Sequence, residues 1–238
     1  MDKLSSNIEE YLEVLYRYGN KNKYVSTTKI SKVLGIAPGS VTGMLKKLSS
    51  NGYIDYEPYK GAILTDKGLK IARKITRKHR ILEKFLLNVL NITDKNIHEE
   101  ACKMEHSLSD EAERAMCLIL EHPDICPDDK IIPACDFDFT NCEECQSNEE
   151  ISEIGFRDHN LVPISQLLDE DKGKVAFIRG DSSILPKLIS LGIAIGSKIH
   201  VINKIGRKNT SQIEVNGHTT KLTPEISNNV FVKVDGEL

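Results

Sequence analysis

The chain has 238 residues, 32 Lys and Arg against 35 Asp and Glu, and a formal net charge of −3. That length supports one large or two ordinary domains with proper cores, so metal is not needed merely to hold a mini-protein together. No apolar run approaches the roughly 18 residues of a membrane span, and the charged, amphipathic stretch from Met1 to Asn20 is no leader, which predicts a cytoplasmic protein without a membrane partner.

The small net charge conceals a segregation. Residues 1–90 carry 17 Lys and Arg against 8 acids, residues 91–160 carry 5 against 19, and residues 161–238 carry 10 against 8. A basic first third suits a polyanion. Six cysteines in a chain read as cytosolic are thiols or metal ligands rather than disulfides.

In chain order, Ile8, Tyr11, Leu12, Leu15 and Tyr16 form the apolar stripe of a helix over Asn7 to Tyr18. Ser26 or Thr27 caps a short helix to Leu34, Gly35 ends it, and Pro38 opens a second helix to Ser50 with Val41, Met44, Leu45 and Leu48 inward. Tyr53 to Tyr56 and Ala62 to Leu64 are β-prone runs across a Pro-Tyr-Lys-Gly turn, a two-stranded wing. This is a winged helix-turn-helix. Thr27, Ser40, Thr42, Lys46, Lys47 and, at the wing tip, Lys60 are the candidate contacts to double-stranded DNA. Gly43 in mid-helix suggests close approach to DNA or to another backbone.

A long helix from Thr65 or Asp66 to about Leu90 follows, then one from Thr93 or Asp94 to His106 and one from Ser107 or Ser109 to about Glu121. His98, Cys102, Glu105 and His106 share a helical face, and their imidazole, thiolate and carboxylate groups suit a first-row divalent ion. His79 and Glu83, one turn apart on the preceding helix, would join His98 at one ion, leaving Cys102, Glu105 and His106 for another.

His122 to Ile154 reads as a connector with little regular structure. Its Cys126, Cys135, Cys142 and Cys145 end in a C-x2-C pair and are a candidate structural zinc site, with partial use or unliganded thiols as the main alternative and an iron-sulfur centre as a smaller one. From Leu161, strand-like runs at 174–178, 198–203, 212–215, 219–222 and 229–234, with a helical piece near 182–191, describe a five-stranded SH3-like barrel. The expected architecture is therefore mainly α at first, a DNA-binding domain at 1–70 and a helical metal-binding and dimerisation domain at 71–125. A Cys-rich connector at 126–160 then leads to a small all-β domain at 161–238.

With these residues lined up, the chain resembles the diphtheria toxin repressor and manganese transport regulator family of metal-dependent repressors. The resemblance rests on Arg77-Lys78-His79-Arg80 with Glu83, on Ile97 to Cys102, on Glu105 to Glu111, and on His122 to Pro127 with Ile132-Pro133. It implies Cys102, Glu105, His106 and Glu10 as primary ligands, and His79, Glu83 and His98 as ancillary ones. Glu13 matches an acid of the manganese-type members, whereas Cys102 stands where those members usually have an acid, so the signatures are mixed. Fe(II) is the expected co-repressor and Mn(II) the second choice. The resemblance further implies a homodimer on a palindromic operator, repressing metal-uptake genes.

Residues 161–234 are similar to the SH3-like domain related to ferrous iron transport protein A, chiefly through Leu191 to Gly196. By that resemblance Asp181 would be an extra acidic ligand, while Ile184 stands where an amide would. Two rival readings remain at this point: a metallohydrolase using the His/Cys/Glu cluster, and a winged-helix regulator with structural zinc alone.

Overall fold

The computed structural model describes residues 4–19, 23–92, 94–148, 155–180, 184–205 and 210–234. The chain divides into two compact units, with the boundary between Thr76 and Arg77.

The first unit contains α1 (Ser6–Tyr18), α2 (Thr27–Leu34), α3 (Pro38–Ser50), β1 (Ile54–Glu57), β2 (Gly61–Leu64) and the start of α4 (Asp66–Asn88). Local chemistry sets these boundaries. The Ser26 hydroxyl accepts from the Lys29 amide at 3.2 Å, Gly35 closes α2 at φ 67°, and Pro38 occupies the first turn of α3. Tyr11, Leu12, Leu15, Ile30, Val41, Leu45, Leu48 and Ile54 are buried together. Truncating one of the leucines to Ala costs about 2–5 kcal/mol.

The wing strands pair antiparallel from Ile54↔Leu64 to Glu57↔Gly61, and a bridge from Val25 to Ala62 ties the hairpin to the segment before α2. Gly61 sits at φ 114° against that segment, where an added Cβ would lie 2.1 Å from the Val25 carbonyl oxygen. Only glycine fits there.

The second unit holds the rest of α4, α5 (Asp94–Glu105), α6 (Asp110–Ile119), α7 (Cys142–Ser147) and a six-stranded antiparallel sheet. Ser109 caps α6 and Asn141 caps α7. The strands are β3 (Val162–Pro163), β4 (Lys172–Ile178), β5 (Lys198–Ile205), β6 (Thr210–Val215), β7 (His218–Leu222) and β8 (Val230–Val234), ordered β3-β8-β4-β5-β6-β7. Helices α8 (Ile184–Ser190) and α9 (Pro224–Ser227) fill two connections.

The sheet differs from the five strands expected by the edge strand β3, two residues long and paired only to β8. A pair of residues offers no alternation to read, and its proline is tolerated because the strand is at an edge. The connector also holds α7, which its acidic and Cys-rich composition masked. Thr93, Asp181 and Ile154 fall outside the described residues.

Candidate metal centre

Spacing on two helices builds the centre. His79 and Glu83 lie one turn apart on α4 and are buried, at 2% and 5% exposure. Their counterparts on α5 are His98, Cys102 and Glu105, again at three- and four-residue intervals, with Glu105 buried, Cys102 half-buried and His98 exposed. Several bonds hold the support. Lys78 binds the Leu108 carbonyl at 2.5 Å and Asp110 at 2.9 Å, and Arg80 donates to the Ile131 carbonyl.

His79 is the hub of the cluster. Its Nε2 lies 2.9 Å from Glu83 Oε1 and 2.9 Å from His98 Nδ1, while Glu83 Oε1 is 3.1 Å from that same His98 nitrogen. Its Nδ1 faces the other way, 2.6 Å from Glu105 Oε2 and 3.9 Å from Cys102 Sγ. Cys102 Sγ is also 3.9 Å from His98 Nε2, and His106 Nε2 is 3.4 Å from Glu105 Oε1. The grouping expected from spacing, His79 with Glu83 and His98, is thus drawn together. Cys102, though, stands equally near both histidines.

The donor set fits a divalent transition metal. Two imidazole nitrogens and a carboxylate oxygen converge, and the ligand atoms of His79, His98 and Cys102 all lie within 4.8 Å of one another. Metal bonds of about 2.1 Å to nitrogen and 2.3 Å to sulfur place cis ligands about 3.3–3.8 Å apart, so small side-chain shifts suffice. One ring cannot give both nitrogens to one ion. A metal-bound His79 would therefore ligate through one nitrogen and be oriented through the other, as metal-binding histidines usually are.

Without the ion, protons stabilise the cluster. Burial opposes charge on His79, but hydrogen bonds with Cys102, Glu105 and Glu83 outweigh it and push its pKa up to about 12. Burial would raise Glu83, yet the bonds from His79 and His98 hold it down at about 2. The ring is an imidazolium clasped by carboxylates, in the position a cation would take.

Glu10 is exposed on α1, and Glu13 is buried and paired to Arg17 at 3.1 Å within the same helix. On the candidate DNA face, Ser40, Lys46 and Lys47 of α3 are exposed, whereas Thr42 is half-buried and spends its hydroxyl on the Pro38 carbonyl at 3.0 Å. Among the described residues, and leaving out its own helix backbone, nothing lies within 4 Å of a Cβ built on Gly43. Thr27 is half-buried in the first turn of α2. Lys60 pairs with Glu57 at 3.0 Å and lies 3.9 Å over the Tyr24 ring. Beside it Tyr59, which the sequence reading passed over, is fully exposed at φ 68°.

Sequence reasoning also missed Arg77 and Glu113, a buried pair at 2.6 Å, with Arg77 donating as well to the Pro133 carbonyl and to Cys117 Sγ at 3.1 Å. A long-range pair on two helices leaves no local pattern. Of the four connector cysteines, Cys135, Cys142 and Cys145 line one cavity and Cys126 does not; Cys126 packs instead with Ile81, Cys117 and Ile132.

Three family models match the chain. Residues 3–62 match the N-terminal DNA-binding domain of iron-dependent repressors, residues 65–134 match their metal-binding and dimerisation domain, and residues 162–234 match the FeoA domain. The chain is 44% identical over 119 residues to an uncharacterized HTH-type transcriptional regulator of Methanocaldococcus jannaschii, covering 50% of this chain and 95% of that one. It is 37% identical over 103 residues to the HTH-type transcriptional regulator MntR of Oceanobacillus iheyensis, covering 43% of this chain and 69% of the relative. Among solved structures, a manganese-dependent transcriptional repressor in complex with manganese aligns at TM-score 0.50 and 24% identity, over 95% of this chain and 99% of that one. The metal-dependent transcriptional regulator MtsR aligns at 0.50 and 21%, over 97% and 100%. These two likenesses concern the fold.

Proposed function

The chain belongs to the iron-dependent repressor family of metal-dependent transcriptional repressors, and on that premise we propose that Fe(II), with Mn(II) as second choice, activates a homodimer to bind palindromic operators of metal-uptake genes. The observation that carries this reading is the convergence of His79 Nε2, Glu83 Oε1 and His98 Nδ1, with Cys102 Sγ at 3.9 Å from the other nitrogen of each ring. A thiolate among imidazoles favours Fe(II) over Mn(II), while an acid such as Glu10 pulls toward harder ions.

A bound divalent ion supplies the positive charge that two imidazoles and neighbouring carboxylates need in order to share a site. His79 gives up its proton to solvent or to a carboxylate and presents a lone pair, with Glu105 orienting the ring. His98 and Cys102 approach from α5. Glu83 completes the ancillary group, and Glu105 and His106 serve a primary group with Cys102. The resemblance assigns Glu10 to that primary group. Ligation by a residue of α1 would tie the DNA-reading unit to the loaded core, so metal selects the DNA-competent state. Asp181 and Glu13 remain candidate further acids on the same ground.

The hydrolase reading needed a spare general base on α5. Glu99 and Glu100 are instead held by Lys103 at 2.8 and 3.2 Å on the exposed side of that helix. Selection of binding sites from random duplexes under anaerobic Fe(II) or Mn(II) tests the proposal. Inverted repeats whose binding is abolished by chelator are expected; recovery of sites that bind equally with chelator present would overturn it, and would favour a regulator with structural zinc only.

A further inference from the structure

One cavity of the second unit plays no part in the metal centre described above. Cys117 from α6, Cys135 from the connector, and Cys142 and Cys145 from α7 line it, together with Arg77, Arg114 and Arg179. The cavity has a volume of about 20 Å³. None of the four sulfurs is in a disulfide, and three of the four cysteines are buried.

A mononuclear zinc site would look different. Zinc with thiolates at about 2.3 Å draws its sulfurs to about 3.8 Å of one another and leaves no void between them. Among the described residues, the group of three or more donors that meets within 4.8 Å is His79, His98 and Cys102. No three of the four cavity sulfurs form such a group. A multi-iron cluster allows its thiolates to stand farther apart, because each binds its own iron and the sulfide core occupies the middle.

A second observation is independent of the cysteines. Arg179 is 3% exposed; among the described residues it donates to the backbone carbonyls of Asp124 and Ile132 at 3.3 and 2.5 Å and lies 4.7 Å over the Phe231 ring, with no carboxylate. Burial, with Arg77 nearby, pulls it down to about 10. A buried guanidinium without a counter-charge is costly. Arg77 and Arg114 meanwhile donate to Cys117 Sγ at 3.1 Å and Cys145 Sγ at 3.4 Å. A cluster with four thiolate ligands supplies iron to the sulfurs and net negative charge to the arginines.

We propose that Cys117, Cys135, Cys142 and Cys145 bind a [4Fe–4S] cluster in this cavity, with Arg77, Arg114 and Arg179 as its charge-balancing shell. Loading from a preformed cluster is a ligand exchange. Each cysteine sulfur replaces one small thiolate on an iron and passes its proton to the leaving thiolate, with no net electron transfer.

The full chain is incubated anaerobically with a synthetic thiolate-ligated [4Fe–4S] complex, desalted, and assayed for iron, acid-labile sulfide and Mössbauer spectrum. Sulfide retained in equal amount to the cluster iron, with a cubane spectrum, is expected for the wild type and for Cys126→Ser; Cys117→Ser and Cys142→Ser should each retain several-fold less. Iron at the histidine site brings no sulfide, so this outcome is independent of the repressor reading. Failure of the wild type to retain sulfide, zinc filling the four cysteines, a Cys142–Cys145 disulfide that persists under reductant, or equal retention in all three variants would each overturn the proposal. The wild-type sulfide content decides the matter even where a variant misfolds.

Discussion

His79 Nε2 and His98 Nδ1 face each other at 2.9 Å, with Glu83 Oε1 within 3.1 Å of both. Two imidazole nitrogens can close to that distance only with a proton or a cation between their lone pairs. Since His79 holds its proton up to about 12, a metal ion must displace it at neutral pH. Metal affinity is therefore expected to rise about tenfold per pH unit per proton released, and Mn(II) addition in weak buffer should acidify the solution. Calorimetry in buffers of different ionisation enthalpy measures the proton count; a count of zero contradicts the account.

The metal-free protein should weaken in acid. Glu83 is held near 2 against an ordinary 4.5, a depressed carboxyl, so the stability it contributes is present above about 4.5 and lost as pH falls toward 2. Glu83→Gln should flatten that acid limb and cost about 1–3 kcal/mol at neutral pH without metal. Urea midpoints across pH 2–6 report both, and an unchanged acid limb in the variant refutes the assignment.

Breaking the Arg77–Glu113 pair, buried at 2.6 Å, leaves an uncompensated charge. Glu113→Ala should lose about 3–5 kcal/mol of stability. Arg77→Met combined with Glu113→Leu should recover much of it. Denaturant unfolding of the single and double variants checks this, and additive losses would show that the two side chains do not act as a pair.

Gly43 separates stability from DNA binding. A methyl there meets nothing within 4 Å, so Gly43→Ala should stabilise α3 by up to about 1 kcal/mol. If α3 packs its exposed Ser40, Gly43 and Lys47 face against DNA, the same change should weaken DNA affinity several-fold while leaving metal affinity alone. Gly61→Ala behaves oppositely in the first respect, because its Cβ would strike the Val25 carbonyl and should destabilise the wing. Equal DNA affinity for Gly43→Ala and wild type would move the contact surface elsewhere.

Local chemistry made much of this legible in advance. Ser26, Gly35 and Pro38 announce the ends of α2 and α3, and the four-residue spacing of His79 with Glu83 and of His98 with Cys102 puts each pair of donor groups on one helix face. What spacing could not give is how the faces meet. That His79 turns one nitrogen to Glu83 and the other to Glu105 depends on the packing of α4 against α5. The C-x2-C pair was readable, but its neighbour Cys117 sits in an apolar helical stripe and looked like core. β3 and α7 were too short to leave a period.

The central claim is that metal held by this cluster switches on DNA binding. Fluorescence anisotropy of a selected duplex, titrated anaerobically with protein in chelator, Fe(II) or Mn(II), measures it directly for wild type, His79→Ala and Glu10→Ala. The account predicts that the ions tighten wild-type binding at least tenfold and that both variants lose most of that gain. Wild-type affinity that is the same in chelator as in either metal would contradict it.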